Sequence, residues 1–225
     1  NSNKFIATSA TSATSATNAT SAAADTAFWS EDFGNGIPEN WSYSDDILSP
    51  DWVYRGPNTT PNNLVGGQGA YSGIANSPAT NDPIESPTTA NGFIIFDSDW
   101  YDNNGSPATA GFGSFPTPHD GRLMTDTIDL SNYTDVSLKI NSYFRTFFGQ
   151  AFVAFYVDGV FDSRVEVHAD LEVNESTASN SIALVRLPFN VCGNENVQME
   201  FIFDGSTESN QNGSGYYFWM LDDLE

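Results

Sequence analysis

The chain has 225 residues, 29 of them Asp or Glu against 7 Lys or Arg, for a formal charge of −22. That balance excludes binding through phosphate backbones or anionic membranes, which need clustered basic residues, and suits divalent cations and a salty exterior. A single cysteine, Cys192, excludes an internal disulfide, and no apolar run reaches the roughly 18 residues that would suggest a membrane-spanning helix.

The chain opens without an initiator Met or a signal-peptide pattern, so it reads as a mature or trimmed product. Residues 1–24 form a tail of different material. After Lys4-Phe5-Ile6 comes the three-residue repeat Ala7-Thr8-Ser9-Ala10-Thr11-Ser12, continuing through Thr17. Such small side chains bury too little apolar surface to fold alone. The tail is either a spacer or a strand to be added to another subunit, with Phe5-Ile6 as an apolar plug.

From Ala27 onward the pattern has period two rather than 3.6. Phe28-Trp29-Ser30-Glu31-Asp32-Phe33 reads as a first aromatic strand carrying two adjacent carboxylates. Residues 52–55 and 92–97 follow as strands. Between them residues 56–91, rich in Asn, Pro, Gly, Ser and Thr, read as a surface insertion. Further strands are expected at 122–128, 136–147 and 150–157, the last apolar on both faces. Asp158-Gly159 supplies a hairpin turn into 161–167. Strands at 181–187 and 197–203 precede the closing Tyr216-Tyr217-Phe218-Trp219-Met220-Leu221-Asp222-Asp223-Leu224. About ten short strands with turn chemistry between them predict an all-β jelly-roll sandwich over residues 25–225.

The two ends carry the most chemistry. Side by side, the first and last strands would bring Glu31, Asp32, Asp222 and Asp223 within a few ångströms. Carboxylates that close repel unless a cation sits among them. Calcium, which takes six to eight oxygen ligands, suits such a set. Strand alternation predicts that only one carboxylate of each pair points inward. A second acidic run, Asp97-Ser98-Asp99-Trp100-Tyr101-Asp102, fails the spacing of a helix–loop–helix calcium site. It is either an Asx-rich turn or a further source of calcium oxygens through Asp97 and Asp99.

Catalytic patterns are weak. His119 and His168 belong to no zinc or nucleophile motif, and Glu166, Asp170 and Glu172 have no aromatic platform beside them for glycoside chemistry. Trp52, Tyr54, Tyr71, Trp100 and Tyr101 fall in or beside loops, where aromatic rings either stack on sugars or cap the sandwich.

Phe33-x-x-Gly36-x-Pro38-x-x-Trp41 resembles the opening of the cleaved-adhesin modules, jelly rolls related in shape to MAM domains and found in gingipains and other secreted bacterial surface proteins. Leu123-x-Thr125-x-x-Ile128-Asp129-Leu130 is similar to the strand that follows in them, with Asp126 where Pro often stands. Tyr217-Phe218-Trp219-x-Leu221-Asp222-Asp223-Leu224 looks like their closing strand. The match runs in order from 28 to 224. It implies type IX secretion, calcium near the joined ends, and adhesion or binding rather than catalysis. Asp25-Thr26-Ala27 looks like the O-glycosylation sites of related secreted proteins, which marks Thr26. The sequence thus predicts a secreted, calcium-stabilised adhesion module, with a cell-surface protein or glycan as partner. The rival expectations are a filament subunit joined through its tail and a carbohydrate-binding module.

Overall fold

The structure, a computed structural model, describes residues 27–43, 50–56, 83–103, 118–206 and 216–225. Its strands are β1 (Ser42–Tyr43), β2 (Val53–Arg55), β3 (Phe93–Asp97), β4 (Asp120–Met124), β5 (Ser137–Phe147), β6 (Gln150–Val157), β7 (Val160–Val167), β8 (Ile182–Arg186), β9 (Val197–Asp204) and β10 (Tyr216–Asp222). A short helix, α1 (Ser98–Asn103), and a 3-10 turn at Thr89–Asn91 complete the described elements. No helix among them is long and apolar enough to cross a membrane.

The fold grows outward from one turn. Asp158 and Gly159 both hold positive φ, 51° and 74°, the conformation a two-residue hairpin needs to match strand twist. They join β6 to β7. Around that hairpin the pairs nest: β5 with β8, β4 with β9, β3 with β10, every pairing antiparallel. An antiparallel ribbon with this nesting rolls up so that alternate pairs fall in opposite sheets. The result is two five-stranded sheets, β1-β4-β9-β6-β7 and β2-β3-β10-β5-β8. This is the jelly-roll sandwich the alternation predicts.

Period two then fills the interior. Val197, Met199, Phe201 and Phe203 of β9 face Phe144, Trp219 and Leu221 of the opposite sheet, all within one buried cluster. Phe96 stacks on Phe203 with centroids 4.7 Å apart, and Trp219 meets Trp52 edge-on at 5.5 Å. Gly121 is required here, because a Cβ on it would lie 2.1 Å from the Phe96 ring. The other face of β10 is covered too. Phe218 and Met220 pack with Phe93, Ile95, Tyr143 and Ile84 in a second cluster on the outside of the sheet.

That outer cluster changes the reading of the long insertion. Its last part, residues 83–91, is no surface excursion: Ile84 is wholly buried, and the segment lies against the outer face of β10. The expected first strand also differs. Glu31 makes one antiparallel bridge to Leu224, and the chain then turns away at Phe33 (φ 51°), so no extended strand forms. Residues 98–103, read either as an Asx-rich turn or as a further source of calcium oxygens, form α1. Asp97 opens that helix by accepting a hydrogen bond from the Trp100 amide at 3.2 Å. The tail, with Phe5, Ile6 and Thr26, lies outside the described residues.

Candidate functional site: the joined ends

The Glu31 bridge brings the two ends of the described domain together, with N–H···O bonds of 2.9 Å in both directions to Leu224. Glu225 continues the join by exchanging bonds of 2.9 and 3.0 Å with Lys139 of β5. The acidic pair of the closing strand therefore sits where the first segment, β5 and the 83–91 segment converge.

Alternation along β10 places Asp222 on the same outer face as Phe218 and Met220, beneath residues 83–91. Its side chain is wholly buried. One oxygen accepts from the Asp223 amide at 2.9 Å; the other accepts from the Ser86 hydroxyl, with Thr88 Oγ1 at 3.4 Å. Burial pushes the Asp222 carboxyl up to about 7, against the lowering effect of the Ser86 hydrogen bond.

The expectation that only one carboxylate of each pair turns inward does not hold at this end. Asp223 has a positive φ of 43°, which breaks the alternation and turns its carboxylate toward the same segment. Thr88 Oγ1 donates to Asp223 Oδ1 at 2.8 Å and Asn141 Nδ2 donates to Asp223 Oδ2 at 3.1 Å. The Thr88 amide is a longer donor, at 3.3 Å.

Asp32 joins through Asn91, whose Nδ2 donates to Asp32 Oδ2 at 3.2 Å; Asp32 Oδ1 accepts from the Gly34 amide at 3.0 Å. Tyr54 holds this corner by donating to the Asn91 carbonyl at 2.7 Å. The Asn91 side-chain oxygen is buried and accepts no hydrogen bond from the described residues. Glu31 folds back locally, accepting from the Phe33 amide at 2.7 Å, and burial followed by the nearby Asp32 charge raises its pKa.

No described Lys or Arg forms an ion pair with Asp32, Asp222 or Asp223. Nor do three or more His, Cys, Asp or Glu side chains converge as a metal centre among the described residues. The donor set is mixed instead: two adjacent carboxylates, a third through Asn91, an uncommitted amide oxygen and two hydroxyls. Hard-cation sites use carboxylate together with neutral oxygens, so the chemistry of this set fits calcium.

The second acidic run lies elsewhere. Asp97 pairs in register with Phe218, four residues from Asp222 along β10, or about 13 Å at the rise of a strand. Asp97 is buried with Arg55, 3.5 Å between charged atoms. Asp99, also buried, accepts from the Tyr217 amide at 3.3 Å, and its carboxyl is pushed up to about 8 by burial and then by the Asp97 charge. Arg145, on the facing strand, lies over the Tyr217 ring at 4.4 Å.

Of the five aromatic residues expected in or beside loops, Tyr71 lies outside the described residues and the other four are placed mostly inside. Trp52 is 1% exposed between Phe96 and Trp219, and Tyr101 is 6% exposed with its hydroxyl donating to the Asp51 carbonyl at 2.7 Å. Packing, not solvent, holds their ring faces. Trp100 is half-buried edge-on against Tyr101, and Tyr54 packs over Gly92. Sequence reasoning missed Ser86, Thr88, Asn91 and Asn141 as members of the site. Nothing in their local sequence separates them from the many other Ser, Thr and Asn residues.

No protein-family model matches this chain, and neither does any curated protein. Among solved structures, the chain is similar to the K1 cleaved adhesin domain of Lys-gingipain from Porphyromonas gingivalis, at 18% identity and a TM-score of 0.45. That alignment covers 87% of this chain and 95% of the other.

Proposed function

We propose that this chain is a non-enzymatic adhesion or binding module of a secreted cell-surface protein, with calcium clasping its joined ends. One observation carries the reading. A fully buried carboxylate, Asp222, meets only neutral donors among the described residues at the point where the first and last segments pair. An unpaired charge there costs several kcal/mol unless it is neutralised. Asp222 and Asp223, whose carboxylates meet at the Thr88 hydroxyl, would hold the ion. Bound calcium supplies the positive charge that lets the carboxylates stay ionised while packed together.

The placement of the hydroxyl–imidazole pairs supports a non-catalytic reading. Ser98 Oγ lies 2.8 Å from His119 Nδ1 and Ser142 Oγ lies 2.8 Å from His168 Nε2, but both serines are wholly buried. Neither presents a nucleophile to a substrate. Type IX secretion and a protein or glycan partner rest on the sequence motifs that open and close the domain.

The test has two arms. Native mass spectrometry and thermal melting in calcium or EDTA should show a stoichiometric ion and a lower melting temperature on chelation. Probing a panel of glycans and surface proteins should show calcium-dependent retention without turnover. An unchanged melting temperature sinks the clasp; hydrolysis of any retained ligand sinks the non-enzymatic reading.

A further inference from the structure

A groove opens in the described domain at the end where the chain enters. It measures about 610 Å³ and lies between the two sheets. Met199 and Leu130 line it on one side, Leu138 and Leu187 on the other. Leu184, among its lining residues, is 72% exposed. Trp29 lines it as well, and Phe28, 44% exposed, stacks on Tyr133 with centroids 4.0 Å apart. An apolar opening of this size is within the range of ligand sites and larger than packing defects leave.

The entering chain itself borders the groove: Ala27, Phe28 and Trp29 are lining residues. The 26 residues before Ala27 contain only two large apolar side chains, Phe5 and Ile6, directly after Lys4. The residues between Ile6 and Ala27 are Ala, Ser and Thr apart from Asn18 and Asp25. That connection of twenty residues can reach about 70 Å when extended, so distance does not restrict a return to the groove. Charge agrees with that direction. Six of the chain's seven basic residues lie in the described domain, and each is engaged with a carboxylate or a ring face. Lys4 is the seventh, carried beside the apolar pair toward a strongly acidic body. At the groove itself Asp135 is paired with Arg186, and Glu225 with Lys139, also a lining residue.

We infer that Phe5 and Ile6 of the same chain dock in this groove. A second copy offers the same segment, but a tether of this length holds the chain's own copy at roughly millimolar effective concentration. Below that protein concentration the internal segment wins. The Ser/Ala/Thr run then spaces an anchor from its socket, and filling the socket completes the core at this end of the sandwich.

The experiment compares the full chain with the double variant Phe5→Ser/Ile6→Ser, whose changes lie outside the packed domain. Methyl NMR should show shifts confined to Leu130, Leu138, Leu184, Leu187 and Met199. Leu184→Asp, at an exposed position that need not perturb the core, should reproduce shifts at the neighbouring groove methyls. A synthetic peptide spanning residues 2–8 should bind the double variant at least tenfold more tightly than the wild type, whose groove is filled. Sedimentation at micromolar concentration should show monomers throughout. Unchanged groove methyls in the double variant overturn the inference. Dimers that disappear with Phe5→Ser/Ile6→Ser overturn it in favour of a second copy as the occupant.

Discussion

Thr88 Oγ1 lies 2.8 Å from one oxygen of Asp223 and 3.4 Å from one oxygen of Asp222. A hydroxyl has a single proton, so it fully serves only one of the two carboxylates. The closing strand thus presents more acceptor capacity than its described neighbours supply.

Calcium should fill that deficit. At a hundredfold excess over its dissociation constant, a single ion stabilises the fold by about 2.7 kcal/mol. Asp222→Asn keeps the shape of the side chain and removes the charge. It should abolish most of the calcium-dependent rise in melting temperature while raising stability in EDTA. Calorimetry with and without chelator measures both, and a full calcium response in Asp222→Asn would place the ion elsewhere.

The bridge between Glu31 and Leu224 should report the ion as well. Both amides donate across the join, so their exchange with deuterium should be slow, and slower again with calcium. Leu224→Pro removes one donor and should release the exchange of Glu31 while β6 and β9 stay protected.

Asp99 makes the stability depend on pH. Its folded-state pKa of about 8 lies above the value of 3.8 in an open chain, so the native state binds a proton the unfolded state has lost. Stability should therefore fall as pH rises from about 4 to 8 and level off beyond. Asp99→Asn should flatten this slope by about 1–3 kcal/mol between pH 5 and 9. Denaturant titration at several pH values reads the difference, and an unchanged slope would assign the dependence to another group.

Gly121 and Phe96 should couple. A methyl group on Gly121 would meet the Phe96 ring at 2.1 Å, and overpacking of this kind typically costs about 1–3 kcal/mol. Phe96→Leu alone leaves a void beside Phe203. Combined, the two changes should cost less than their sum, because the smaller Leu makes room for the new methyl. Additive effects would show that the ring is not the obstacle.

How much of this was legible in the sequence depends on period two. Strands β6, β7 and β9 lie within a residue of where alternation puts them, because each buries one face in a core that permits no slip. The failures share a cause. Phe28 to Phe33 has strand composition, but the left-handed Phe33 cuts it to one bridge. Helix α1 spans six residues, too few for a helical period to show. Aromatic content alone did not distinguish Trp52, packed against Trp219, from a ring open to solvent. The site followed the same rule. Its carboxylates stood out as adjacent acids at both ends of the domain, whereas Ser86, Thr88 and Asn91 acquire meaning only because the segment from 83 to 91 crosses the outer face of β10.

The antiparallel sense of the Glu31–Leu224 pair fixes how the module would respond to being pulled. Residues preceding Glu31 run alongside Glu225, so both ends leave in the same direction. Tension between them opens the join like a zip, one bridge at a time, instead of shearing many bonds together. Under tension the join should be the first part to open, and a bound ion should set the force at which it does so. Optical-trap extension in calcium and in EDTA should show an early step whose height follows the cation.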